Sequence, residues 1–407
     1  MRNESNRRSF LQTAALAGGA GVASSKTAHA QTYNISTNDL IRVGVLCLSP
    51  VSHAGMWASA INSEGQEGWV PRAHKLRVTH CWDSKPGVAE KFGERYNCTA
   101  VKNYYDMVGK VDAVILAGFY EAKWWLELAR PYLEAGLPCY INRPFAMSMK
   151  QAKETVELAK KHNAPLLHTD GHLVLQEAKQ AREKVKRCLR EGKNIIGATA
   201  YNYAWPDYPV HTIHGLYFLY TVLGLDVDQI SFQADGWWNS EIPTNPNIMT
   251  WGVVNLKYNG INIEGVGEQT EPFVATQLQV DDECSFSNIR LYYSDGGPSR
   301  GEWMDFDNQL GALARAGRGE RMYNLNYLTP WYIQEMFTTR VMRWSYDEIL
   351  QHTKIFLAGF KSHLDHNGAM YTVDDLPDDW KHRLYSRTIS MRPCSDKSLI
   401  FTEKNKG

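Results

Sequence analysis

The chain lacks a charge surplus of either sign: 44 basic and 44 acidic side chains cancel over 407 residues. With no summed field to draw in a polyanion, nucleic acid is not expected as a partner. It also lacks any CxxC pair. The seven cysteines (Cys47, Cys81, Cys98, Cys139, Cys188, Cys284 and Cys394) are odd in number, so neither a zinc knuckle nor a disulfide framework is indicated. Cys47, Cys81 and Cys139 fall in or beside predicted strands, where a cysteine usually serves as a small core residue. Beyond the first thirty residues no apolar run approaches the roughly 18 residues of a membrane span, so insertion in a bilayer is not expected. No internal repeat and no low-complexity linker interrupts the sequence.

What is present is ample material for a core. Hydrophobic residues make up 43% of the chain and aromatics 12%, which fits a globular enzyme, and the length exceeds one typical domain. Residues 1–30 read as a twin-arginine export leader. Asn6-Arg7-Arg8-Ser9-Phe10-Leu11-Gln12 is followed by the weakly apolar run Thr13 to Ser24 and a small-x-small end at Ala28-His29-Ala30. The expected location is the periplasm, or the medium, after folding in the cytoplasm.

From Leu40 onward strand-like and helical stretches alternate, the pattern of a parallel sheet with crossover helices. Strands are predicted at 41–47, 75–81, 113–116, 137–141 and 165–168, and helices at 86–96, 120–135 and 148–162. Gly136 and Asn163 are placed to stop the last two helices. After Gly192 the character changes: a strand over 195–203, a helix over 214–223, then long strands with Gly and Asn turns. Met249 to Tyr258 and Ile261 to Gly267 are predicted to pair as a hairpin across Asn259-Gly260. The expected fold is α/β. A Rossmann-like doubly wound parallel sheet spans 40–170, and an α+β domain with an open antiparallel sheet spans 171–407.

A dinucleotide cleft calls for GxGxxG after the first strand, because glycines let the backbone approach the pyrophosphate. Here the turn reads Cys47-Leu48-Ser49-Pro50-Val51-Ser52-His53-Ala54-Gly55, with all three glycine positions replaced. The hydroxyls of Ser49 and Ser52, with His53 beside them, are the anion-binding groups left there. Asp83, at the end of the second strand, stands where an acid receives ribose hydroxyls; a lone Asp after a strand also reads as a helix N-cap.

These parts, with Val111-Asp112-Ala113-Val114-Ile115-Leu116 and the run from Leu133-Glu134-Ala135-Gly136 to Tyr140-Ile141-Asn142-Arg143-Pro144, resemble the glucose-fructose oxidoreductase and inositol dehydrogenase family, Gfo/Idh/MocA. The resemblance covers roughly residues 40–225 well and the remainder loosely. It implies a Rossmann domain holding NAD(P), an open sheet that often mediates homo-oligomers, and a carbohydrate substrate. In the family the strand after the "EAG" stretch ends in Glu-Lys-Pro; this chain has Asn142-Arg143-Pro144. The family's second landmark, an Asp-x-x-x-His helix start, aligns with His211-Thr212-Ile213-His214-Gly215, which places His214 at the catalytic histidine and Val210 at the aspartate.

His211 and His214 share one side of a helix start, where the dipole favours a neutral, basic imidazole. A metal pair is the other reading of that spacing, but no third ligand is visible and no metal is assigned. Arginine at position 143 keeps the charge of the family's lysine but cannot shuttle a proton; it suits a carboxylate clamp. His172, Tyr203 and Tyr208, near the ends of predicted strands, are further acid/base candidates. Trp124-Trp125, Trp237-Trp238 and Trp331-Tyr332 are candidate sugar-stacking surfaces, each also readable as core.

These departures favour redox-neutral elimination from an acidic sugar or oligosaccharide, a lyase or dehydratase, with His214 and His211 at the centre and Arg143 on the acid. In that reading no cofactor is needed. The alternatives are an NAD(P)-dependent sugar oxidoreductase or NAD-dependent glycosidase with tightly bound cofactor, and an inactive sugar-binding protein.

Overall fold

The computed structural model describes residues 40–48, 52–62, 73–118, 121–168, 176–204, 208–235, 251–281, 287–294, 301–307 and 329–381. Six parallel strands open it: β1 (Ile41–Leu46), β2 (Leu76–Trp82), β3 (Thr99–Ala100), β4 (Ala113–Leu116), β5 (Cys139–Ile141) and β6 (Leu166–Leu167). They lie in the order β3-β2-β1-β4-β5-β6. The order reverses between β1 and β4, and such a reversal opens a ligand crevice beyond the strands' carboxyl ends. β4, β5 and β6 are buried at every residue, as a sheet covered by helices on both faces requires.

The crossover helices are α1 (Ala54–Asn62), α2 (Val88–Tyr96), α3 (Trp125–Glu134) and α4 (Met149–Lys161). α4 starts where Ser148 accepts the Gln151 N–H at 3.2 Å. Both expected stops hold, since Gly136 (φ 69°) and Asn163 (φ 52°) take the left-handed conformation that ends a helix.

The second part follows α5 (Gln176–Arg190). Its strands are β7 (Asn194–Ala204), β8 (Val227–Asp235), β9 (Trp251–Tyr258), β12 (Phe273–Asp281), β13 (Ser287–Ser294), β14 (Gly301–Asp307) and β15 (Tyr371–Thr372), ordered β14-β13-β7-β12-β9-β8-β15. The sheet is mixed rather than purely antiparallel, because β7 and β12 run parallel at its centre. The hairpin expected across Asn259-Gly260 does not form. β10 (Ile261–Ile263) turns away to pair with β11 (Gly267–Gln269), while β9 pairs with β8 and β12. Local turn chemistry put a bend in the right place, but the β9 edges were taken by longer partners.

Against this sheet lies α6 (Tyr208–Leu223), buried at every residue from Ile213 to Tyr220. A helix apolar all round belongs inside a protein. The chain then returns to the first sheet through α7 (Thr329–Thr339) and α8 (Tyr346–Asp365). Ile349 of α8 joins the core of the first sheet, and Ile355, Phe356 and Phe360 join that of the second. No helix among the described residues is long and apolar enough to cross a membrane.

Candidate active site at the carboxyl ends of the first sheet

The site is assembled from strand ends. Cys47, after β1, adopts φ 64°, so the backbone keeps the glycine-favouring conformation of a dinucleotide-binding turn although its residue is a cysteine. Its buried thiol is pushed well up by desolvation and by the nearby charges of Glu121 and Asp83. Asp83 accepts the Leu48 N–H at 2.6 Å and the Lys85 N–H at 2.9 Å. Burial raises its carboxyl above the ordinary range, with these two bonds opposing. Asp83 thus fastens the β1 turn to the end of β2 and still has about two acceptor positions of a carboxylate's four. Ser52 spends its hydroxyl on the Ala54 N–H at the start of α1. Ser49 lies outside the described residues.

His53 and Asn142 meet across the crevice. The His53 ring is buried, tilted against Trp57 at 4.9 Å, and its Nδ1 stands 3.4 Å from Asn142 Nδ2. Asn142, at the end of β5, also donates Nδ2 to the carbonyls of Ala117 and Gly118 at 3.0 Å each. Its Oδ1 is buried with no hydrogen-bond partner. A buried acceptor left so costs free energy unless a ligand supplies a donor, so Asn142 and Asp83 are the groups fitted to hold a dinucleotide's hydroxyls or amide.

Arg143 is the centre. Its side chain is 1% exposed, and Nε and Nη2 approach His214 Nε2 at 3.2 and 2.9 Å. Its Nη1 reaches both ring nitrogens of His53 at 3.5 Å. A guanidinium has only donors, so His214 Nε2 accepts and carries no proton. The result is an unprotonated imidazole nitrogen held against a permanent cation. Once a substrate oxygen takes over the guanidinium's N–H bonds, the freed Nε2 can accept a proton from a hydroxyl or an activated carbon while the cation stabilises the oxyanion left behind.

A second bridge joins the two legs of this pair. His168, after β6, lies 3.0 Å through Nδ1 from the Ile141 carbonyl, and its Nε2 is bonded to the Tyr217 hydroxyl. With Nδ1–H donating to the carbonyl, Nε2 accepts from Tyr217, one turn beyond His214 on α6. Neither Tyr217 nor the buried Glu121 was singled out from sequence. Tyr217 is findable as the i+3 neighbour of His214 and Glu121 as an acid just past the end of β4.

Of the remaining expected residues, His172 lies outside the described residues. Tyr203 is on β7, and Tyr208 and His211 are on the first turn of α6, but their side chains fall outside the described residues as well. Trp125 is core, donating Nε1 to the Pro144 carbonyl at 3.0 Å. Tyr332 lies beneath the Arg343 guanidinium, 4.1 Å from its ring centre. Trp237-Trp238 lies outside the described residues. Among the described residues no group of three or more His, Cys, Asp or Glu side chains is placed to hold a metal ion.

Strand order and crevice together define a Rossmann-type fold with a second sheet domain. Residues 58–169 match the oxidoreductase family with NAD-binding Rossmann fold, GFO_IDH_MocA. Among similar solved structures, scyllo-inositol dehydrogenase from Lactobacillus casei with bound NAD(H) and scyllo-inositol has a TM-score of 0.58 at 13% identity, over 83% of this chain and 100% of that one. An oxidoreductase from Agrobacterium radiobacter in complex with NAD+, L-tartaric acid and magnesium gives 0.57 at 14%, over 83% and 99%. A probable dehydrogenase from Thermotoga maritima gives 0.58 at 14%, over 83% and 100%. At such identities the likeness is one of fold. No curated protein matches the sequence.

Proposed function

We propose that this protein is an NAD(P)-dependent oxidoreductase acting on a sugar or polyol. The observation that carries this reading is the Arg143–His214 pair at the carboxyl ends of a Rossmann sheet. A substrate hydroxyl that draws the Arg143 N–H donors onto its oxygen frees His214 Nε2 and gives up its proton there. The guanidinium, whose charge does not titrate, holds the alkoxide. Asp83 and Asn142 Oδ1 would hold the dinucleotide, which when bound supplies the electron acceptor. The family match over residues 58–169 and a structural neighbour crystallised with NAD(H) and scyllo-inositol support the assignment.

A second reading rests on a specific observation. Arg143 occupies the position of the family's lysine and cannot release a proton at any working pH. That favours redox-neutral elimination from an acidic sugar, with His214 removing the proton next to a carboxylate that Arg143 neutralises. Export through the twin-arginine stretch at Arg7-Arg8 supports a cofactor bound before translocation, or none. Val274 and Leu278, exposed on β12, support a homo-oligomer formed through the second sheet.

The deciding experiment is mass spectrometry of small molecules released by denaturing protein recovered from the periplasmic fraction, followed by assay on polyols and on uronate oligosaccharides. Stoichiometric NAD or NADP, with its absorbance changing on addition of a polyol, is the expected result. A dinucleotide-free protein that produces the ultraviolet absorbance of an unsaturated uronate would replace oxidation with elimination.

A further inference from the structure

Cys81 and Cys98 are seventeen positions apart and the fold brings their thiols together. Cys81 lies on β2, fully buried; Cys98 immediately precedes β3 and is partly exposed. β3 pairs with β2 in parallel, His80 opposite Thr99 and Cys81 opposite Ala100. The approach to β3 is fixed by the Cys98 N–H, which donates to the Gly93 carbonyl at 3.0 Å. A side chain on Gly93 would place its Cβ 2.5 Å from the Cys98 carbonyl, so the glycine permits this close return of the chain. Each thiol is the neighbour that most perturbs the other's titration, and both cysteines are free.

From this geometry we propose that Cys81 and Cys98 form an oxidisable dithiol, a disulfide site on the outer edge of the first sheet with Cys98 as the attacking sulfur. Access and charge divide the roles. Cys98 reaches solvent, whereas Cys81 is 0% exposed and points toward the Ala89 carbonyl at 3.4 Å. The neighbouring Cys81 thiol, and then the Arg77 charge, lower the Cys98 thiol from its ordinary value against its burial. A lower thiol value and partial exposure are what make a cysteine reactive.

The chemistry closes with a small disulfide as oxidant. The Cys98 thiolate attacks one sulfur of the oxidant, forming a mixed disulfide and releasing one thiolate. Cys81, losing its proton, attacks the Cys98 sulfur and expels the second thiol. Two protein thiols lose two electrons and two protons, and one small disulfide becomes two thiols. β3 is a two-residue edge strand, so only Thr99 and Ala100 hold this flank to β2 as the sulfurs close to bonding distance. The bridge locks β3 onto β2 two residues before Asp83.

The test uses the full-length chain, reduced and then exposed to excess glutathione disulfide, alkylated, and digested without reductant for mass spectrometry. A Cys81–Cys98 linked peptide is expected, lighter by two hydrogens than the sum of its two thiol peptides and lost on reduction. In Cys81→Ser glutathione should remain on Cys98. Recovery of both residues as free thiols, or of glutathione retained on Cys98 in the unsubstituted chain, would overturn the proposal. The unsubstituted chain alone decides if the variant does not fold.

Discussion

At the scale of single residues the chain keeps the backbone of a Rossmann crevice and lines it with unexpected side chains. Cys47 holds the left-handed conformation a glycine would take, at a cost of roughly 1–2 kcal/mol for an L-residue. Arg143 stands where the family that the sequence resembles has a lysine. Its planar fork presents Nε and Nη2 to one nitrogen of His214, whereas an ammonium on a flexible stem cannot reproduce both bonds in a fixed plane. Arg143→Lys should therefore lower turnover by about 10²-fold, the usual loss when an oriented oxyanion donor is removed. Steady-state kinetics on the substrate identified by the polyol and uronate assays checks this. An unchanged or faster rate would show that Arg143 serves only as a charge.

Elements were the most legible scale, and the reason is physical. Five strands and three helices of the first sheet show their own hydrophobic period, and the stops at Gly136 and Asn163 are local chemistry, whereas α1 and the two-residue β3 were not read. Non-local choices were not legible: that β7 and β12 run parallel, or that β9 refuses β10, depends on partners distant in sequence. The site divides the same way. His214 and Arg143 were readable from sequence frames, while the His53–Asn142 contact and the His168–Tyr217 bridge arise only when separate strand ends converge.

Gly260 shows how turn chemistry and tertiary packing combine. Its φ of 139° is closed to other residues, and a Cβ there would stand 2.3 Å from the Gln269 carbonyl. Both objections apply at once to Gly260→Ala, so a loss of roughly 1–3 kcal/mol is expected. Urea denaturation of the variant measures it. A loss within about 0.5 kcal/mol, the range of ordinary surface changes, would mean that the β9–β10 bend relaxes freely.

At the scale of the molecule, α8 binds the two sheets into one unit, and the residue at its middle links folding to pH. His352 is fully buried, stacked on Tyr220 at 5.4 Å and edge-on to Trp344 at 4.3 Å, and neither ring nitrogen has a hydrogen-bond partner. Desolvation, with the neighbouring His168 adding to it, holds its value well below that of a free histidine. The unfolded chain binds this proton near pH 6.5, and the folded chain does not until the pH falls much further. The stability His352 contributes is therefore complete above about pH 6.5 and is lost as pH falls toward the folded value. One such proton changes the unfolding free energy by about 1.4 kcal/mol per pH unit. His363 and His80, also lowered mainly by burial, add to the same slope. His352→Phe keeps a ring in the stack and removes both unpartnered nitrogens. It should leave stability at pH 7 unchanged or higher, and reduce the slope between about pH 6 and 5 by close to one proton. Urea unfolding at each pH, followed by circular dichroism and by tryptophan fluorescence, gives that slope. Because Ile349 and Ile355 tie α8 to both cores, the two signals should also coincide. An unaltered slope in the variant would mean that His352 is not what resists protonation, and separated transitions would mean that the sheets unfold independently.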